Sequence, residues 1–346
     1  MTGRLYGKSV GEVLKIKNDF FEQNGKMLEL SAHQADVLLA QPLRKKCKIC
    51  GCALPDETMY SSQRMEYLVC PECGHVNSRH EDTEAFARAV YLEDPYEHHY
   101  SEADREAYLK RMRTIYIPKA EFLLETLEGE GLNKDGIRIL DDGAGSGYFV
   151  RACQELGLTA LGIEISEAQV QFANEMAGTD ILKTVPGEEI PAFLSVAEFN
   201  VFSFIGVLEH IVNLQEVTEA IRDNENVQYV YLSVPMISLS CVLEAANQDC
   251  YNRHAGGTHT HLFTDSSIER MAENMGFTVH RTWKFGSDMM DLFRMLCVKL
   301  DEGGNRSMKE YFSPKFLSMI DELQEVVDRH EFASEIHAIL KRADLK

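Results

Sequence analysis

Between Gly136 and Leu300 the chain alternates short apolar runs with stretches whose apolar residues recur every three or four positions. A run of four to six apolar residues suits a buried strand, and the three-to-four spacing suits a helix with one buried face. The runs are Ile137–Leu140, Ala160–Ile163, Ile181–Val185, Val201–Ile205 and Tyr229–Val234, the last closed by Pro235. Helical spacing follows the first run in Phe149, Val150, Cys153 and Leu156. After the second run a helix opens at Ser166, and Gln169 three residues on completes the pattern of a capping box. A helix from about Ser266 to Met275, a strand at Phe277-Thr278-Val279 and a last strand over Phe293–Leu300 complete the series. Strands separated by helices are joined by crossovers, so the pattern predicts a doubly wound, mostly parallel α/β sheet.

The flanks read differently. Residues 1–42 predict helices: Val10, Val13, Leu14, Ile16, Phe20 and Phe21 form one stripe, broken near Gly25, and Ala32–Leu39 forms another that ends at Pro42. Glu81–Leu127 is charged and rich in tyrosine, with helical spacing in Tyr108, Met112 and Ile115 and again at Phe122 and Leu123. Ser307–Lys341 predicts a helical tail. The expected organisation is a helical segment at 1–42, a cysteine-rich module at 43–80, a helical lid or linker at 81–130, the sheet domain at 131–300 and a helical tail at 301–346.

Charge narrows the partners. The net charge is −20, from 55 acidic and 35 basic side chains, which disfavours nucleic acid. The short basic clusters Arg44-Lys45-Lys46 and Arg111-Met112-Arg113 suit solvated helix faces or loops. No run approaches the roughly 20 apolar residues of a membrane span, and Met1–Lys17 lacks the apolar core of a secretory signal. The expected location is the cytoplasm, and the oligomeric state is open.

The most informative segment is Ile139-Leu140-Asp141-Asp142-Gly143-Ala144-Gly145-Ser146-Gly147-Tyr148, a buried strand that runs into three alternate glycines and then a helix. Glycine lets a ligand approach the backbone closely, and the helix N-terminus behind it offers free N–H groups to an anion. About twenty residues on, Glu164 ends the second strand, where a carboxylate can accept both hydroxyls of a ribose. A dinucleotide fingerprint would need another glycine at Tyr148. Gly-x-Gly-x-Gly behind Asp141 instead resembles the first motif of class I S-adenosylmethionine-dependent methyltransferases, over roughly Gly136–Leu300. The resemblance implies a Rossmann-like fold and an enzyme that uses S-adenosylmethionine. It assigns Asp141, Gly143, Gly145 and Gly147 to the methionine portion of the cofactor, Glu164 to the ribose and Ile165 to the adenine. Phe199–His210, with Phe204 at its centre, resembles the family's "phe-asp-val … val-leu-glu-his" stretch, with Asn200 in place of aspartate. Gly187 and Glu188 fall where relatives place an acid near the adenine amine, and Tyr96 and Tyr100 fall where a lid over the cofactor would lie.

The nine cysteines include two Cys-x-x-Cys-Gly knuckles, Cys47/Cys50 and Cys70/Cys73. Four thiolates at that spacing favour a closed tetrahedral zinc site with a structural role; Cys52 and His75 lie near enough to replace a ligand. A zinc ribbon ahead of this domain resembles the sugar C-methyltransferases of polysaccharide and antibiotic-sugar biosynthesis, which act on nucleotide-linked sugars. Asn252–Thr264 carries three histidines and resembles that branch's "tyr-his-glu-his" loop, so His261 aligns with its base, with His259 and His210 as further candidates. Thr258 and Thr260 stand where the branch has tyrosine and glutamate, which leaves O- and N-methylation open beside C-methylation. The expected acceptor is a small polar molecule, a sugar or sugar nucleotide. Alternatives are another small molecule, an RNA or protein acceptor, or a non-catalytic scaffold.

Overall fold

The structure is a computed structural model that describes residues 3–11, 24–92, 104–250, 254 and 258–343. Its first elements are strand β1 (Gly3–Tyr6), helix α1 (Asn24–Leu39) and, in the cysteine-rich module, strands β2 (Tyr60–Ser62), β3 (Met65–Val69) and β4 (Val76–Ser78). Helix α2 (Ile117–Gly129) leads into β5 (Arg138–Asp142), α3 (Tyr148–Glu155), β6 (Thr159–Glu164), α4 (Glu167–Ala177), β7 (Leu182–Thr184) and α5 (Ile190–Val196). Next come β8 (Val201–Ile205), α6 (Leu214–Asp223), β9 (Tyr229–Pro235), α7 (Leu239–Ala246), β10 (His261–Leu262), α8 (Asp265–Met275) and β11 (Phe277–Phe285). Helices α9 (Asp288–Glu302), α10 (Arg306–Leu317) and α11 (Ile320–Arg329) precede strand β12 (Glu335–Arg342).

Eight strands form one sheet in the order β1-β11-β12-β9-β8-β5-β6-β7. Strand β12 runs antiparallel to both of its neighbours, and every other pair in the sheet is parallel. The order reverses between β5 and β8, which opens the crevice at the strands' carboxyl ends where this class of sheet binds ligands. The alternation of side chains along each strand divides the core. Ile139, Val201 and Tyr231 face α2 and α3 on one side, while Leu140, Phe202, Phe204 and Leu232 face α6 and α8 on the other.

Two expectations at the C-terminal side need correction. Phe293–Leu300 is not a strand but part of α9, because Met289, Met290, Phe293 and Cys297 recur at helical spacing and pack on Phe316 and Ile320. The tail is helical only as far as Arg329; Ile336, Ala338, Ile339 and Leu340 are buried on both faces of the sheet. A strand buried on both sides reads as continuous apolar sequence, which periodicity does not separate from a helix. At the other end Gly3–Tyr6 is a strand rather than helix.

A second sheet, in the order β10-β4-β3-β2, ties the cysteine-rich module to the rest. His261 and Leu262 pair with Asn77 and Val76, so the loop after β9 supplies one of its strands. Among the described residues no helix is long and apolar enough to cross a membrane.

Close approach of backbones fixes the crevice. A Cβ on Gly162 in β6 would lie 2.3 Å from Leu182 Cδ2 and 2.6 Å from Ala144 Cβ. Gly162→Ala is therefore expected to overpack the joint between β6, β7 and the glycine loop, lowering unfolding free energy by about 1–3 kcal/mol in urea titration. A loss of under about 0.5 kcal/mol, the scale of an ordinary surface substitution, would show that the joint yields.

Candidate active site and cysteine cluster

Strand β5 delivers Asp141 and Asp142, both 2% exposed, to the mouth of the crevice. The chain then turns at Gly143 with φ +66°, where a Cβ would lie 2.7 Å from both methyls of Val207. Only glycine allows the loop to sit against the segment that follows β8. Glu164 braces the loop from β6: Oε2 accepts the Gly145 N–H at 2.8 Å, and Oε1 accepts the N–H groups of Ile165 and Ser166 at 2.8 and 3.0 Å. The expected capping box closes by half. Ser166 Oγ accepts the Gln169 N–H at 3.4 Å, but the Gln169 side chain accepts from Ser146 Oγ at 2.7 Å instead, tying α4 to the glycine loop. Beyond Glu164, the exposed Ile165 faces Gly187 with only 4.0 Å between its Cγ2 and the position of a Gly187 Cβ. Ile165 and Gly187 thus lie side by side, with exposed Glu188 next to them.

The crevice is electrostatically unbalanced. Burial pushes the Asp141 carboxyl up to about 8, despite a 2.6 Å hydrogen bond from Ser203 Oγ. Burial and the Glu164 charge push Asp142 up to about 7. Asp142 Oδ2 is buried without a hydrogen-bond partner. A buried carboxylate oxygen in that condition is costly unless a donor reaches it. Asp142 and Ser203 are the residues that sequence reasoning did not single out; the doubled acid at the end of a buried strand was the available signal.

Glu209 and His210 form a single turn after β8, next to the Val207 that touches the loop. The chain after β9 brings His259 against them: the His210 and His259 rings lie 5.2 Å apart, and Glu209, His210 and His259 present ligand atoms all within 4.8 Å of one another. Each ring is held by a backbone carbonyl. His210 Nδ1 lies 3.3 Å from Thr258 O, and His259 Nδ1 lies 2.6 Å from His254 O. Burial drives His210 down to about 4 and Glu209 up to about 8. His261, by contrast, is buried in β10, with its Nδ1 2.9 Å from His75 Nε2 and its ring against Phe263. Of the three histidines, His210 and His259 therefore meet, while His261 ties the loop to the cysteine-rich module. Phe204 turns its ring into the core facing α6, so it is not a side chain of the crevice. Tyr96 and Tyr100 lie outside the described residues.

The two cysteine knuckles fold alike. Gly51 N–H bonds Cys47 O and Gly74 N–H bonds Cys70 O, each at 2.9 Å, and the backbones of Cys52 and His75 close the turns. The sulfurs of Cys47, Cys50, Cys70 and Cys73 lie within 4.8 Å of one another, with Cys47–Cys73 at 3.6 Å and Cys50–Cys70 at 3.4 Å. A tetrahedral ion with bonds of about 2.3 Å needs sulfurs about 3.8 Å apart, so the donor set fits zinc. The module also supports the histidine loop: Tyr67 OH donates to His259 O at 3.1 Å, Ser78 N–H to Thr260 O at 2.8 Å, and Thr260 Oγ1 to Asp82 at 3.1 Å.

A cavity of about 130 Å³ opens at the same edge of the sheet, lined by Lys8, Arg111, Tyr116, Lys119 and Glu335. Lys119 pairs with Glu335 at 3.3 Å, whereas Lys8 sits over the Phe285 ring at 4.9 Å, and burial with the nearby Lys119 charge lowers it to about 7. The cavity thus gathers three basic side chains around one carboxylate, with Lys119 paired to it and Lys8 half charged near neutral pH.

The sheet order, the glycine turn and the acid that braces it define a class I methyltransferase fold. A family model described as a methyltransferase domain matches residues 108–282, and the chain belongs to that family as an S-adenosylmethionine-dependent methyltransferase. Similar solved structures include magnesium protoporphyrin IX methyltransferase from Synechocystis PCC 6803 with S-adenosylhomocysteine, at 13% identity and TM-score 0.41, covering 74% of this chain and 92% of that one. A methyltransferase from Archaeoglobus fulgidus has 18% identity and TM-score 0.41, covering 72% of this chain and 100% of that one. One from Geobacter sulfurreducens with S-adenosylhomocysteine has 13% identity and TM-score 0.37, covering 65% and 90%. No curated protein matches the chain.

The buried acids set a pH dependence. Asp141 is raised from 3.8 to about 8, so the folded chain holds a proton that the unfolded chain releases. The stability from that proton is complete below about pH 4 and is lost as pH rises through about 8. Cofactor-free protein, unfolded with denaturant, should thus lose stability between about pH 5 and about pH 8, and Asp141→Asn should flatten the slope. An unchanged slope in the variant would assign the effect elsewhere.

Proposed function

We propose that the protein transfers a methyl group to a hydroxyl of a small polar acceptor, a sugar or nucleotide-linked sugar. The observation that carries this reading is the meeting of Glu209, His210 and His259 beside the glycine loop, at the edge where the cationic cavity opens. S-adenosylmethionine supplies an electrophilic methyl on a sulfonium, and the acceptor oxygen must lie in line with it. Asp141, Gly143, Gly145 and Gly147 hold the methionine portion, Asp142 offers its unpartnered oxygen to the same ligand, and the adenine lies against exposed Ile165, near Gly187 and Glu188. Glu164 receives the ribose. Its oxygens already accept three backbone N–H groups, about three of four acceptor positions, so the ribose diol competes with the Gly145 N–H.

The histidine constellation receives the acceptor hydroxyl. His210 and His259 stand nearer to that role than His261, which the ribbon holds. Lys8, Arg111 and Lys119 suit the phosphate of a nucleotide-linked acceptor. The four cysteines hold a structural zinc that keeps the histidine loop in place through β4 and β10.

Calorimetric titration with S-adenosylmethionine and S-adenosylhomocysteine tests the cradle: Glu164→Ala should weaken both about tenfold or more. Equal binding by variant and wild type would remove Glu164 from the site. Lys8→Met should raise KM for a phosphorylated acceptor about tenfold while kcat and cofactor affinity hold, and a fall in cofactor affinity instead would assign the cavity to the cofactor's carboxylate.

A further inference from the structure

Glu209, His210 and His259 have an arrangement that a simple proton acceptor does not require. A neutral imidazole whose Nδ1–H is donated to a carbonyl carries its lone pair on Nε2. His259 meets that condition with His254 O at 2.6 Å, and His210 with Thr258 O at 3.3 Å. Both rings are thereby fixed in the tautomer in which Nε2 can bind a metal, by the carbonyl support that metal-ligating histidines usually have. Glu209 completes the set. Its side chain is 5% exposed, its Oε1 lies 3.9 Å from His210 Nε2, and its Oε2 is buried without a hydrogen-bond partner. A buried carboxylate oxygen left in that condition is costly unless something binds it.

We propose that Glu209, His210 and His259 form a second metal site, which holds a divalent first-row ion beside the cofactor's methyl group and presents it to neighbouring oxygens of the acceptor. Two imidazoles and one carboxylate suit zinc, manganese, iron or cobalt and leave coordination positions open, unlike the closed four-sulfur cluster. Bonds of about 2.1 Å draw the three ligand atoms in from their present separations of up to 4.8 Å. Open neighbouring positions select an acceptor with two adjacent oxygens, such as a vicinal diol or a hydroxyl beside a carbonyl. This inference rests on the hydroxyl-acceptor reading and deepens it. The ion acidifies the bound hydroxyl, whose proton leaves to solvent. The oxygen lone pair then forms the bond to the methyl carbon as the carbon–sulfur pair returns to sulfur, giving a methyl ether, a neutral thioether and one proton.

The test is cobalt titration of the zinc-loaded full chain, followed by optical absorption and metal analysis. Thiolate charge-transfer bands report the cysteine cluster, and ligand-field bands without them report a nitrogen–oxygen site. The wild type should take up one further equivalent without a thiolate band. His259→Ala and Glu209→Gln should each lose it while keeping S-adenosylmethionine affinity and the zinc of the ribbon. A folded wild type that binds S-adenosylmethionine but takes up no further ion overturns the site, as does uptake that persists in both variants. Metal uptake with methylation at nitrogen or carbon would leave the site standing and overturn the hydroxyl reading instead.

Discussion

Three carboxylates converge where β5 and β6 end, and two of them, Asp141 and Asp142, are shut away from water. Crowded negative charge in a low-dielectric place is unfavourable, and the surroundings are arranged to manage it. Ser203 hydrogen-bonds one acid, the Lys119 charge stands nearby, and Glu164 is committed to backbone N–H groups. Asp141, raised to about 8, keeps its proton near neutral pH, so part of the charge is never formed in the folded chain. The glycine loop, turning at Gly143 against Val207, carries the backbone directly past these acids.

The cysteine module is part of the catalytic half rather than a separate attachment. Strand β10 belongs by sequence to the segment after β9 but pairs with β4 of the module. Buried His75 and His261 join the two across that seam. A metal held by the four sulfurs would therefore act at a distance, by fixing the backbone on which His259 stands.

Much of this was legible in the sequence. The strands β5 to β9 stand out because apolar runs bounded by turns have few alternatives, and the glycine triplet with Glu164 marks the crevice. The cysteine knuckles were legible for the same reason, since their chemistry is local. The failures were long-range. Phe293–Leu300 and Glu335–Arg342 are both apolar-rich, and only their tertiary surroundings decide that one is a helix and the other a strand. The partnership of Glu209 and His210 with His259 was illegible because it depends on how two loops at the sheet's edge meet. His261, which the resemblance put first as the base, pairs in β10 with the cysteine-rich module instead, and that pairing is not visible in the sequence.

Strand β12 reaches its place after three further helices, yet it lies between β11 and β9. Without it, the large sheet would divide into two fragments, β1 with β11 and β9 through to β7, each with an open edge. Every backbone bond across that seam links residues far apart along the chain, so it is an expensive loop to close and a slow one. A nascent chain can assemble the cofactor crevice early, but until the seam is filled the fragments carry bare strand edges able to pair with other chains. Strand β12 alone joins β11, and β1 beyond it, to β9 and the strands of the crevice.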